Sequence, residues 1–487
     1  MKKYNILFIH PPINSSSIQD ESPHKRRGNY IFIPMGVFAI ADLLEREGFS
    51  VKIINFPLEK FLNSKWNLKD FLKNLDFDIC AIDLHWIHNS YGALYISKVV
   101  KEIDKNIKVI FGGYSASYFH KQILKYYQTV DGIIRGDGEI PFLEYTRCHL
   151  RNKNFDKVPN LTYRNSSGMI KVNPISYIAK SLEDLNFSNI SLMHNAESYL
   201  NNSRKIMGIS YNVSVGRGCP FNCPFCAGGK KAQEKYSCRT EVILRNPRRV
   251  VEDILFIYHN YNIDNFFFGH GTYPKTLKYW EKLFSIIREE NIDISADLEI
   301  WRLPFPKKMV QSFYETFNNK KSSLSISPRT ISSSVQKKIA KLDDPTFIFR
   351  KSEIFKLIED TIQYRIPLRI WLTIGFPFQN RREIIKDIMF AIECVLKYGK
   401  SKKNPIAIMS EPYFIFPGSP VFEDPEKYGI KLKLTNFPEI VNAFKNSKIS
   451  FFYNLTNYDN KYFSSNFIRK LNLLFFLIVA PMFLTSG

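Results

Sequence analysis

Between residues 291 and 375 the chain alternates apolar and polar side chains with a period of two, and helical patterns separate the alternating stretches. In 291–301 the apolar set is Ile292, Ile294, Ala296, Leu298 and Ile300, with Asp293, Ser295, Asp297 and Glu299 opposite. In 323–327 serines alternate with Leu324 and Ile326; in 368–375 Leu368, Ile370, Leu372 and Ile374 oppose Arg369, Trp371 and Thr373. Successive side chains of a strand point to opposite faces, so each stretch has one greasy face and one polar face. Strands separated by helices pair in parallel through right-handed crossovers, with the helices over the greasy face. A closed barrel fills its interior with Val, Ile and Leu. A polar interior therefore predicts a barrel with a working lumen. An exposed antiparallel sheet would show the same alternation without the intervening helices.

An earlier series of strands and helices precedes it. Residues 4–9, 51–56, 77–83, 107–111 and 130–134 are apolar runs of strand length, and 34–47 and 93–105 carry helical periodicity. This pattern predicts a second parallel sheet, with ligands at the C-terminal ends of its strands. Gly112-Gly113 and Gly136-Asp137-Gly138-Glu139 fall there. No GxGxxG follows the first strand, which argues against a nicotinamide or flavin dinucleotide. The expected organisation is a Rossmann-like α/β domain over 1–150 and a connector over 151–205. The connector holds a small hairpin, 161–163 with 170–172, around Asn165-Ser166-Ser167-Gly168. A barrel over 206–425 and a C-terminal extension over 426–487 follow. The extension ends in an apolar run, 471–484, containing Asn472 and Pro481. A single span needs about 20 residues. The run therefore reads as a packed terminal helix or an interfacial foot, with Arg469-Lys470 suited to an anionic membrane surface.

Seven cysteines, three of them between 219 and 226, do not make a disulfide framework. The apolar stretch near the N-terminus is too short for a signal peptide, so a reducing, cytoplasmic setting is expected. Hydrophobic residues at 45% and aromatics at 15% exclude wholesale disorder. The net charge of +22 is spread without a long basic run. It names no partner, and no nucleic-acid module stands out.

Cys219, Cys223 and Cys226, spaced C-x3-C-x2-C, follow a strand that ends near Val215. Three thiolates on one tight loop suit three irons of a [4Fe–4S] cube. The fourth iron, left open, can take the amino and carboxylate groups of S-adenosylmethionine. One electron into the sulfonium then breaks a carbon–sulfur bond and yields a 5′-deoxyadenosyl radical. Three other readings of the loop stay open. One is a zinc site completed by Cys238; the others are a closed ferredoxin-type site and three structural thiols. Cys238 and Cys394 otherwise read as isolated small buried side chains.

On these residues, 208–425 resembles the radical SAM family. The resemblance implies that Cys219, Cys223 and Cys226 bind the cluster and that the backbone at Phe225 lies near the adenine. Leu372-Thr373-Ile374-Gly375-Phe376-Pro377 is similar to the glycine motif after the fifth strand, beside the adenine. Phe416-Pro417-Gly418-Ser419-Pro420 resembles the turn closing the last strand, and Arg245-Asn246-Pro247 the start of the helix after the cluster loop. Where many members have Gly-Gly-Glu for the methionine amino group, this chain has Gly269-His270-Gly271. His270 or backbone carbonyls are the candidates for that role. Asp297, Glu299, Ser325, Ser327, Arg369 and Thr373 are candidates for the ribose, the carboxylate or the substrate.

Residues 1–150 resemble the cobalamin-binding domain fused to such barrels. Pro34-Met35-Gly36, Gly112-Gly113 and Gly136-Asp137-Gly138-Glu139 carry the likeness. It implies that Pro34, Gly36, Gly112, Gly113, Gly136, Gly138 and Glu139 lie against the nucleotide tail and corrin. The D-x-H-x-x-G that supplies a lower axial histidine is absent, since the first strand is followed by His10-Pro11-Pro12. His85 and His88 read as pocket-lining or structural. The resemblance thus implies a flavodoxin-like cobalamin domain followed by a partial (β/α)6 TIM-type barrel. The expected activity is a radical SAM methyltransferase acting on an unactivated carbon of a small molecule or peptide, reduced by a flavodoxin or ferredoxin. A radical rearrangement, cyclisation or other C–C bond-forming enzyme is the alternative, and a cobalamin- or redox-responsive binding module the non-enzymatic one. A methylthiotransferase would need a second three-cysteine site upstream, and the sequence has none.

Overall fold

The computed structural model describes residues 2–15, 18, 32–207, 211–317, 322–398, 406–410, 414–447 and 456–484. The chain divides into two compact units. The first comprises 1–208, 227–243 and 434–452; the second comprises 209–226, 244–433 and 453–487. These boundaries differ from those expected at 150, 205 and 425. The segment read as a connector lies in the first unit, as does the stretch just after the cysteine loop.

In the first unit five strands run parallel: β1 (Lys2–His10), β2 (Val51–Asn55), β3 (Leu75–Asp83), β4 (Lys108–Gly112) and β5 (Gly132–Ile134). Two more, β6 (Leu161–Arg164) and β7 (Ile170–Val172), extend the sheet antiparallel beyond β5. The expected hairpin thus forms, but as the edge of this sheet. The strand order is β2-β1-β3-β4-β5-β6-β7. Ile6, Leu7, Ile9, Ile53 and Ile79 are fully buried, as both faces of a helix-covered parallel sheet demand. The direction of winding reverses between β1 and β3. Their C-terminal ends, His10 and Asp83, stand at the switch point where such sheets open a ligand crevice.

The second unit holds a six-stranded sheet in chain order. Its strands are β8 (Tyr211–Val213), β9 (Asn265–Phe268), β10 (Ser295–Ile300), β11 (Ser323–Arg329), β12 (Leu368–Leu372) and β13 (Ile406–Ser410), each parallel to the next. Register sets Leu298 beside Leu324, Ile326 beside Ile370 and Ile370 beside Ile408. This apolar row is buried, while Ser325, Ser327, Arg369 and Trp371 on the other face stay partly open. The alternation read in the sequence is therefore the alternation of the sheet.

The C-terminal helix, Ser465–Leu484, starts six residues before the apolar run and packs on β13 and on the helix Arg381–Tyr398. Ile468, Asn472, Phe475 and Val479 form its buried face. Asn472, polar within that run, donates from Nδ2 to the Ile374 carbonyl (3.1 Å) and accepts from the Ser410 hydroxyl (2.8 Å). Among the described residues no helix is long and apolar enough to cross a membrane.

Candidate functional site: a three-cysteine loop at the end of a parallel sheet

The cysteine loop leaves β8 and is anchored along its length. Arg245 fixes its entry: the backbone N–H donates to Val215 O (2.9 Å), and the buried guanidinium bonds Ser214 O (2.8 Å) and Asp253 (2.6 Å). Asn246 then caps the helix Pro247–Tyr261 through Arg248 N. At the far end, the Val421 N–H donates to Pro224 O (3.0 Å), so the turn at Phe416–Pro420 closes onto the loop. The Cys226 N–H donates to Cys223 O (3.1 Å), which makes the last three residues of the motif a tight turn.

Rings enclose this loop. Phe221 packs on Tyr273 (5.1 Å) and Trp301 (6.4 Å), and Phe225 on Phe376 (5.7 Å) and Phe347 (6.2 Å). Burial pushes the Cys219 thiol up to about 12, aided by the neighbouring Cys226. Burial also raises Cys223, while Arg302 pulls it back. Such thiols stay protonated in neutral solution unless a metal takes the proton's place. Among the described residues no three His, Cys, Asp or Glu side chains converge as ligands of a single ion. Three soft sulfur donors on one tight loop are of the type that suits iron–sulfur ligation. Asn222, between the first two cysteines, is 6% exposed with no partner for either Oδ1 or Nδ2. An orphaned buried amide at this place fits a polar group bound against the loop.

Other expected residues divide by whether the protein itself uses them. The His270 ring faces two carbonyls, Nδ1 to Gly271 (3.2 Å) and Nε2 to Gly218 (3.3 Å), and packs 4.3 Å from Trp301. Burial holds it down to about 4, so it is neutral at pH 7 and donates to one carbonyl at a time. Its evident work is to hold the start of the cysteine loop. A Cβ on Gly271 would lie 2.2 Å from Trp301 Nε1, and one on Gly269 would lie 2.7 Å from Asn212 Oδ1. Gly375 has φ +88°, its N–H donates to Gln379 Oε1 (2.8 Å) and its carbonyl accepts from the Tyr458 hydroxyl (2.8 Å). Both backbone groups expected beside the adenine are thus already paired within the protein.

On the polar face, Ser327 donates to Glu299 (2.9 Å), whose other oxygen accepts from Trp301 Nε1 (3.2 Å). Ser323 bonds Asp297, and Arg369 pairs with it at 3.4 Å. Burial keeps the Asp297 carboxyl above its usual range. Ser325 lies between Glu299 and Arg369 in register, and Thr373 is fully buried with its hydroxyl unpaired.

Two arginines near the loop escaped the sequence reading. Arg302, just past the end of β10, donates from Nη2 to Cys223 Sγ at 3.2 Å. Arg329 ends β11 beyond a break in register, at φ +63°, with its guanidinium 5.0 Å from the Phe225 ring. Their signal was available: ligand-facing residues collect at the C-terminal ends of parallel strands, and Arg329 continues the odd-numbered face of Ser325 and Ser327.

In the first unit, a Cβ on Gly36 would meet nothing within 4 Å, and one on Gly112 only Ile134 O at 4.0 Å. These two leave a space that side chains would fill, as a closely approaching cofactor requires. The other glycines serve the protein. Gly113 has φ +101° and a Cβ there would sit 2.6 Å from His85 Cα; Gly136 abuts Ser237 and Gly138 abuts Ile40. Pro34 opens the helix Met35–Arg46, and Glu139 is buried at the first turn of Glu139–Leu150. Asp137 accepts from Ala179 N (2.8 Å) and pairs with Arg239, tying the stretch after the cysteine loop to this unit. At the switch point His10 Nδ1 lies 2.9 Å from Asp83, a pair the sequence did not suggest. His85 packs on Trp86 and Tyr114, and His88 on Phe444. Cys238 corrects an expectation: it is exposed, at the left-handed C-cap of the helix Lys230–Ser237, beyond the helix's buried face of Ala232, Gln233 and Ser237. Cys394 is buried as expected.

Residues 27–146 match the family model of the B12 binding domain. The chain is 25% identical over 296 residues to an uncharacterized methyltransferase of Pyrococcus horikoshii, covering 61% of this chain and 59% of that protein. It is 24% identical over 229 residues to the hopanoid C-3 methylase of Methylococcus capsulatus, covering 46% and 41%. The matches thus span about half the length of these relatives. Among solved structures, the radical S-adenosylmethionine methyltransferase TsrM from Kitasatospora setae, with cobalamin and a [4Fe–4S] cluster bound, superposes with a TM-score of 0.66. The identity is 12%, over 100% of this chain and 89% of that one. Residues 27–146 thus resemble a B12 binding domain, and the chain as a whole shares the fold of that solved structure.

Proposed function

We propose that the protein is a cobalamin-dependent radical S-adenosylmethionine methyltransferase acting on an unactivated carbon of a small molecule. The observation that carries this reading is the Cys219, Cys223 and Cys226 loop, enclosed by rings, beside a parallel sheet with one polar face. The relatives named as methyltransferases and methylases, and the B12 binding domain, support the same chemistry.

When bound, a cluster would supply the electron that cleaves S-adenosylmethionine, and a corrinoid would supply the methyl carrier. In this reading the six-stranded sheet is an open (β/α)6 barrel. The three thiols hold the cluster. Phe221, Phe225, Trp301 and Phe376 exclude water from it. The Phe225 backbone meets the adenine. With Gly-Gly-Glu replaced, the methionine amino group falls to carbonyls of the Gly269-His270-Gly271 turn, which the neutral His270 keeps in place. Ser325, Ser327, Arg369 and Thr373 take the ribose, the carboxylate or the substrate, and Gly36 and Gly112 let a corrinoid approach the sheet. A flavodoxin- or ferredoxin-type donor and a cytoplasmic setting go with this chemistry. The exposed Leu473, Leu474 and Leu477 of the C-terminal helix support peripheral contact with a lipid surface.

Anaerobic reconstitution followed by iron, sulfide and corrinoid analysis tests the proposal. About four irons and one corrinoid per chain are expected, with S-adenosylmethionine consumed under reduction. Iron without corrinoid removes the methyl-transfer half, and zinc in place of iron removes the radical chemistry.

A further inference from the structure

Arg302 is held more firmly than a packing role requires. It is 6% exposed. Its Nη1 donates to Trp301 O (2.7 Å) and its Nε to Thr346 Oγ1 (3.1 Å), while Asp344 pairs with Nη2. The guanidinium lies 4.0 Å from the centre of the Phe221 ring, with Phe347 and Phe349 at 5.5 and 5.7 Å. Asp344 is fixed in turn, accepting from Thr346 N (2.9 Å). With the plane of the guanidinium set by these partners, Nη2 is directed at Cys223 Sγ, 3.2 Å away. A buried cation aimed at a thiol costs desolvation unless it is paired, and one carboxylate alone would satisfy that need. The additional N–H to sulfur contact is a separate feature of the geometry.

We propose that Arg302 is a positioning residue that sets the reduction potential of the cluster bound at Cys219, Cys223 and Cys226, with Asp344 as the opposing charge. The inference rests on the cluster reading of that loop. Reduction adds negative charge to the cluster. A hydrogen bond to a ligand sulfur and a nearby positive charge both favour the reduced form and raise the potential. Asp344 moderates the effect by neutralising part of that charge. Because ring faces and a carboxylate surround the guanidinium in place of water, its field is weakly screened.

The test is a potentiometric titration of the anaerobically reconstituted full chain, followed by electron paramagnetic resonance, on wild type, Arg302→Met, Arg302→Lys and Asp344→Asn. Arg302→Met removes both charge and donor and moves the midpoint to more negative potential with iron content retained. Arg302→Lys keeps the charge and lies between it and wild type. Asp344→Asn moves the midpoint the opposite way. Cleavage of S-adenosylmethionine by Arg302→Met then slows with a weak reductant and recovers with a stronger one. If Arg302→Met fails to hold iron, the Lys and Asn variants decide by the sign of their shifts. Midpoints equal to wild type in iron-loaded variants overturn the role given to Arg302 and leave the cluster reading intact. A wild-type chain that takes up no iron overturns the cluster reading itself.

Discussion

Cys219, Cys223 and Cys226 and the arginine facing the second of them came to light by different routes. The thiols are legible in sequence because cluster ligation needs soft donors at a fixed spacing on one loop. Substituting any one of them by alanine is expected to abolish the visible absorption of the reconstituted cluster and to cut iron severalfold. Circular dichroism should remain native, since none of the three side chains is tied into a disulfide. Arg302 is seventy-six residues from Cys226 in sequence, and only the folding of β10 beside the loop brings it to Cys223. His270 is an intermediate case. Its position in place of a glutamate motif was visible, but its bonds to Gly218 and Gly271 were not.

At the scale of elements, the glycines divide into those packed against the protein and those with open space at the Cβ position. Gly113 lies between β4 and its following helix with φ +101° and no room against His85 Cα. Gly113→Ala should lower the unfolding free energy measured by urea titration by about 1–3 kcal/mol from backbone strain alone, and by more once the clash with backbone is added. Gly36, at the start of Met35–Arg46, has open space at its Cβ position. A bulky Gly36→Phe is expected to leave the urea midpoint near wild type while corrinoid retained on gel filtration falls. Equal corrinoid in both proteins would remove Gly36 from the cofactor surface. Strand positions and the polar–apolar alternation were readable because a period of two is a local property. The pairing of the hairpin β6–β7 with β5 was not, because edge pairing depends on which strand happens to lie open.

For the whole molecule, acid sensitivity follows from buried histidines. Burial pushes His85 and His120 down to about 4, and His88 to about 3. In the unfolded chain each titrates near 6.5. As pH falls below that value the unfolded state binds protons that the folded state refuses, so stability declines. The enclosed His88 costs about 1.4 kcal/mol per pH unit across its window. Burial raises Asp387 to about 7, and its effect has the opposite sign, favouring the fold as pH falls from 7 toward the usual carboxylate range. His88→Phe, which keeps a ring against Phe444, should flatten the loss of urea midpoint between pH 6.5 and 4.5. An unchanged slope would show that His88 titrates normally in the folded protein.

The linear chain by itself determined the two parallel sheets, the polar face of the second and the three-thiol loop, because each is written in spacings of a few residues. Tertiary structure decided which glycines serve packing and which leave open space. It also joined Asp137 to Arg239 and brought Arg302 to Cys223. Those outcomes depend on contacts between residues up to about a hundred positions apart. Local pattern carries no record of which distant side chain will be desolvated against which, and that pairing is set only when the sheets close.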